Sequence, residues 1–133
     1  MEWSVDSLPL DIGYKLIFIA LKADAQKYRL SEWIHQLYDS IIDVEILLLD
    51  QVTRGQAETV LFAESSVNPN HSIGIFNIDT RFTSTTLSTT LKTPNIDGVL
   101  GAFPSNSPKF SYARLNKEHY VQETAEKVVI SSS

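Results

Sequence analysis

Apolar residues in this chain gather into short unbroken runs, separated by stretches in which they recur every three or four positions. The clearest example is residues 43–82. Val44–Leu49 is apolar at nearly every position, as expected of a strand covered on both faces, and Ile73–Ile78 repeats the pattern with β-branched and aromatic residues. Between them, 56–66 places Ala57, Val60, Leu61 and Glu64 at helical spacing behind Gly55, so an apolar stripe can lie on a sheet. Parallel strands need a crossover of about a dozen residues or more, which the intervening segment supplies. The first reading is therefore strand, loop, helix, strand. A competing reading pairs 44–52 with 58–64 as an antiparallel hairpin around Thr53-Arg54-Gly55-Gln56, which turns the fold into α+β with an antiparallel sheet built on a 44–64 hairpin.

The rest of the chain continues the alternation. Residues 1–10 carry Trp3, Val5, Leu8 and Leu10 among polar neighbours and read as an edge segment packed by Trp3 or as an N-terminal partner-binding arm. Residues 11–23, with Tyr14 and the run 16–21, are expected to form a buried strand. The stripe Tyr28, Trp33, Ile34, Leu37, Tyr38 and Ile41 predicts a helix over 24–42, with Ser31 able to cap a shorter one. Residues 79–93 hold apolar and threonine positions at helical spacing, although a Thr-rich strand competes. A short strand is expected at 96–103, a Pro/Ser loop at 104–108 and a half-exposed strand at 110–115. Asn116 is placed to cap a final helix over 117–130, and 131–133 is expected to fray. The sum is a single α/β domain spanning 1–133, three-layered, with a mainly parallel sheet.

Composition narrows the function. At 133 residues the chain is long enough for one substantial core, and it contains no cysteine, which removes disulfides, thiolate metal sites and cysteine nucleophiles. No basic region precedes an apolar run at the start, and no apolar run approaches the length of a membrane span. The expectation is a soluble intracellular protein of the cytoplasm or nucleus, with no membrane partner. The net charge is −5 and the 11 lysines and arginines are scattered, an arrangement that argues against autonomous tight nucleic-acid binding. His71 and His119 lack metal-ligand spacing, and no nucleophile elbow or dinucleotide loop is present, so neither a metal nor a cofactor is expected.

In an α/β domain, ligands bind beyond the carboxyl ends of the strands. Asp24, Asp50 and Asp79 fall near those ends and together could hold Mg²⁺ with phosphate oxygens, although aspartate also commonly begins loops and caps helices. Length and layout resemble phosphoacceptor receiver domains, whose functional positions find their nearest matches in Asp24, Asp79, Ser105 and Lys117. That resemblance implies a receiver-like or Mg²⁺-dependent phosphate-binding regulatory domain.

A second resemblance is local to residues 43–91. Asp50 to Ala57 occupies the place of a Walker A loop, keeping Gly55 but holding Gln56 and Ala57 where a working loop has lysine and a hydroxyl. Phe76-Asn77-Ile78-Asp79-Thr80-Arg81-Phe82, followed by Leu87, is similar to the corresponding strand end of RecA-type recombinase paralogues. The resemblance implies a non-catalytic pseudo-ATPase subunit in a DNA-repair or other nucleic-acid-processing complex. On that reading Gly55 and Gln56 mark an empty phosphate site, the protein is not an enzyme, and its partner is another protein or a second copy. Trp3, Leu8 and Leu10 are the candidate partner contacts.

Overall fold

The computed structural model describes residues 2–13 and 15–131, with the side chains of Glu2 and Trp3 outside the description. Contacts gather into two compact units, residues 1–89 and 90–133, where length alone suggested one domain.

Unit 1 opens with a short helix α1 (Glu2–Val5) and a 3-10 turn (Leu10–Ile12). Strand β1 (Lys15–Leu21) follows, then helices α2 (Lys22–Tyr28) and α3 (Leu30–Tyr38), and strand β2 (Asp43–Leu49). β1 and β2 pair in parallel from Lys15↔Asp43 to Leu21↔Leu49. The completed βαβ crossover is thus β1–α2–α3–β2, one step earlier in the chain than the sequence pattern placed it. Parallel pairing demands such a crossover because the chain must return to its starting end.

The single helix expected over 24–42 is two helices. Arg29 breaks it with φ 54 and ψ 41, and its N–H closes α2 onto the carbonyls of Ala25 and Gln26. A left-handed residue of this kind ends a helix, and only afterwards does Leu30 begin the next. Ser31 caps neither helix; the residue before α3 is Arg29 itself.

The core of unit 1 forms where α1 and α3 meet the sheet. Val5, Ile34 and Tyr38 are buried, and Leu10, Leu16, Phe18, Val44 and Ile46 pack around them. Ile34 and Tyr38 lie four residues apart on one face of α3, as the stripe predicted. Phe18 stacks on Tyr38 with ring centroids 5.8 Å apart. Leu10 packs against this core and Leu8 is half-buried, so neither stands out as a free arm. The Trp3 side chain and all of Tyr14 lie outside the described residues.

After β2 the chain forms α4 (Gln56–Leu61) and a 3-10 turn (Glu64–Ser66). A helix at 56–61 removes the 44–64 hairpin and with it the α+β alternative. Residues 73–78 correct the sequence reading in the other direction: they belong to no ladder, so the third strand of the organising stretch is absent from the two-stranded sheet. Gly74 is one physical reason, since glycine weakens a strand interior. Of the helix expected over 79–93, only α5 (Leu87–Leu91) forms, with the Ser84 hydroxyl accepting from the N–H groups of Thr86 and Leu87. Threonine-rich sequence holds little more helix than its cap secures.

Unit 2 is built on an antiparallel hairpin, β3 (Tyr112–Leu115) with β4 (Val121–Ala125). The strand expected at 110–115 is therefore present, whereas the helix expected over 117–130 is replaced by a turn and a strand. Asn116 decides this. Its side-chain carbonyl accepts from the N–H groups of Glu118 and Tyr120, at 3.0 and 2.9 Å, and its own N–H donates to the Tyr120 carbonyl. The residue expected to cap a helix instead closes a turn, and Tyr120, Val121 and Thr124 then favour the strand. Tyr112 is buried and its hydroxyl donates to the Ser107 carbonyl at 2.9 Å. Residues 96–103 enter no ladder, consistent with Gly98 and Gly101 interrupting the run.

Candidate functional site

β1 and β2 point their carboxyl ends the same way, so the segments leaving those ends share one rim of unit 1. α2 leaves β1 directly, carrying Lys22 and Asp24 in its first turn. Asp50 follows β2, exposed, with Lys22 Nζ 3.6 Å from its carboxylate. At this exposure the pair contributes little stability.

The loop from Asp50 to Gly55 closes on itself. The hydroxyls of Thr53 and Thr59 lie 2.6 Å apart, and each reaches the Gly55 carbonyl at 3.2 Å. Arg54 donates its backbone N–H to Glu58 Oε2, while its Nε reaches Glu58 Oε1 at 3.2 Å. Glu58 is thus the loop's resident anion. A phosphate cradle of the Walker type needs such backbone N–H groups turned toward the ligand, and here one is already held by a carboxylate.

Gly55 has φ 167 and ψ 179, an extended backbone open to any residue, and a Cβ added there would meet nothing within 4 Å. Neither strain nor packing within the protein therefore asks for glycine at this position. The open space beside it lets another molecule approach the backbone closely.

Gln56 reaches across to the later segment. Its Nε2 donates to Asn77 Oδ1 at 2.6 Å, joining the start of α4 to residues 21 positions further on. Asp79 follows two residues later, exposed, with the Thr80 hydroxyl donating to its carboxylate at 3.4 Å. Of the five candidate ligand residues, the structure links the Gly55–Gln56 corner to the Asn77–Asp79 segment. It does not gather Asp24, Asp50 and Asp79 into one cluster: among the described residues no three His, Asp or Glu side chains are grouped to hold a metal ion. The joint Mg²⁺ site expected from those three acids is not formed: Asp24 lies in the first turn of α2, Asp50 follows β2 and Asp79 sits in a turn that follows no strand. Ser105 and Lys117, the remaining receiver-like positions, lie in unit 2, Lys117 in the turn of the antiparallel hairpin and so not after a parallel strand.

No family model matches the chain, and no curated protein or solved structure matches it.

Asn77 is the participant that sequence reading missed. It stood in the quoted Phe76-Asn77-Ile78-Asp79 motif, but only the fold pairs its carboxamide with that of Gln56. Two further ties went unseen. Ser66 donates to Glu45 Oε1 at 2.6 Å, and Lys15 forms an ion pair with the same carboxylate. The Lys15 hydrogen bond first and the Ser66 hydroxyl second hold the Glu45 carboxyl below its ordinary value of 4.5, while Glu45 raises Lys15 above 10.5. Unit 1 also has a shallow cleft of about 210 Å³ lined by α2, α3 and Leu48, where Arg29 and Glu32 neutralise each other. Among the described residues, no helix is long and apolar enough to cross a membrane.

Proposed function

We propose that unit 1 is a non-enzymatic ligand-binding domain of the three-layer α/β class, whose ligand is a small phosphate-bearing molecule with a planar hydrogen-bonding edge, of the nucleotide class. The single observation that carries this reading is the Gln56–Asn77 carboxamide pair at 2.6 Å, beside the solvent-open backbone of Gly55. Paired carboxamides present a donor and an acceptor side by side, the combination that reads the edge of a nucleobase. Their position beyond the end of β2 is where ligands of parallel α/β domains bind. Glu58 already holds the loop N–H of Arg54, so phosphates lie outside the loop, with Lys22, paired to Asp50 after β2, as the candidate cation. The degenerate Walker-like loop fits the same reading, with Gln56 in place of the lysine and binding retained without hydrolysis. An intracellular setting, where nucleotides are abundant, accompanies it.

The test is a thermal-shift titration with ribonucleoside triphosphates at millimolar concentration, with and without Mg²⁺. A ligand bound only by the folded state stabilises it by mass action, by about 2.7 kcal/mol at a concentration 100-fold above Kd, and so raises Tm. Gln56→Ala is expected to reduce the rise, and a wild-type Tm unmoved by every nucleotide would overturn the proposal.

A second reading, an assembly subunit contacting a protein partner or a second copy, draws on Leu61, Phe62 and Ile73, large apolar residues left exposed in unit 1. Light scattering distinguishes it: an apolar interface gives a dimer or stable complex in the absence of nucleotide.

A further inference from the structure

Unit 2 holds a cleft of about 450 Å³ that plays no part in the function proposed for unit 1. Small-molecule pockets span about 300–1,000 Å³, so the cleft is large enough for a small ligand. Arg114, Leu115, Asn116, His119 and Ser131 line it, drawn from the end of β3, the turn that follows and the segment beyond β4. Local backbone geometry brings them together. The pairing of β3 with β4 shifts register between Arg114 and Leu115, and an irregularity of this kind re-aims the side chains beside it. His119 is left-handed, with φ 65, and its N–H donates to the Asn116 carbonyl at 3.1 Å. The Ser131 hydroxyl donates to the Ala113 carbonyl at 2.9 Å, which ties the later segment to β3.

The lining is rich in hydrogen-bond donors and poor in acceptors. Arg114 uses one guanidinium nitrogen, Nη2, on Glu123, and a guanidinium carries five N–H groups. Asn116 commits its side-chain carbonyl to the N–H groups of Glu118 and Tyr120, which leaves its amide nitrogen to offer. Among the described residues, neither that nitrogen nor the His119 imidazole has a hydrogen-bond partner, and an imidazole supplies at least one donor in either protonation state. No carboxylate lines the cleft among the described residues. Glu123 is engaged by Arg114, and Lys117 and Glu118, both exposed in the turn, offset each other. A metal cation finds no anionic ligand in this lining. An acceptor-rich ligand finds three kinds of donor, one of them a guanidinium whose planar fork matches carboxylate and phosphate oxygens.

We propose that this cleft binds a small oxyanion of the phosphate or carboxylate class, held by the Arg114 guanidinium, the Asn116 amide and the His119 imidazole. The site lies wholly in unit 2 and does not rest on the nucleotide reading of unit 1.

Proton–nitrogen NMR of the full chain, titrated with sodium phosphate and separately with sodium acetate, tests this against sodium chloride at matched ionic strength. The expected result is a saturable shift of the amides of 114–119 and 131 with at least one of the two oxyanions and none with chloride. The arm that saturates identifies the class. His119→Gly suits a left-handed backbone and so keeps the turn while removing the imidazole. It is expected to weaken binding by about fivefold or more, the worth of one hydrogen bond. Arg114→Lys keeps the charge but loses the fork, and is expected to weaken binding as well. Shifts that chloride reproduces, that never saturate, or that keep wild-type affinity in both variants would overturn the site.

Discussion

Replacing Ile34 with alanine is the sharpest test of the packing described for unit 1. Ile34 is 1% exposed and sits on α3 between Val5, Tyr38 and the sheet. The substitution deletes three carbons, and at ~0.8 kcal/mol per buried methylene the lost transfer free energy is about 2.4 kcal/mol. Neighbours anchored on a sheet and two helices collapse only partly into the gap, so the remaining cavity brings the cost to about 3–4 kcal/mol. For a unit of this size, stability of about 0.05–0.15 kcal/mol per residue totals ~4–13 kcal/mol, so a large part of it goes with one side chain. Ile41→Ala is the matched control. It removes the same three carbons from a side chain 61% exposed, in the turn after α3, where only about 1 kcal/mol is at stake and no cavity forms. Urea unfolding at constant slope gives both values from the shift of the midpoint. Equal losses in the two variants would refute the assignment of Ile34 to the core.

Three further outcomes follow from local geometry. Arg29→Gly relieves a left-handed residue between α2 and α3 at the expense of an exposed ion pair with Glu32, and is expected to raise stability by about 0.5 kcal/mol in the same urea assay. Glu45 has a lowered carboxyl in the folded state, so its contribution is present above pH 4.5 and is lost as pH falls through the folded value; Lys15, raised, contributes below pH 10.5 and loses its part at higher pH. Glu45→Gln should therefore flatten the decline in the unfolding midpoint below pH 4.5, and an unchanged acid profile would exclude that carboxylate as its source. Gly55→Ala meets no atom and no forbidden backbone, so its stability should stay within about 0.5 kcal/mol of wild type while nucleotide affinity falls, read by thermal shift in the same titration.

The apolar runs identified β1 and β2, although neither strand is buried on both faces as those runs suggested, and the i, i+4 pair Ile34 and Tyr38 identified the buried face of α3, because strand-forming runs and helical spacing are written directly in residue type. Boundaries set by a single backbone conformation were not legible: nothing marks Arg29 as left-handed, since arginine is an ordinary helix residue and only the αL turn reveals the break. The hairpin of unit 2 was missed for a related reason. Asn116 serves equally as a helix cap or a turn residue, and the choice depends on whether its side chain meets the N–H of Tyr120. At the candidate site, Gly55 and Gln56 were legible from their place after a strand, but Asn77 gained its role from a tertiary hydrogen bond. Asp24 and Asp50 were placed correctly near strand ends and yet form no joint metal site, because spacing along the chain does not state where a loop turns its side chain.

On the proposed reading, Gln56 and Asn77 act together on one ligand. A double-mutant cycle by isothermal titration calorimetry measures it directly, using wild type, Gln56→Ala, Asn77→Ala and the double variant with whichever nucleotide raises Tm most. Two carboxamides joined by a 2.6 Å hydrogen bond and reading the same edge are expected to show a coupling of about 1 kcal/mol, so that the double variant binds little worse than either single one. Additive losses, or single variants that bind like wild type, would show that the two side chains do not act on one ligand.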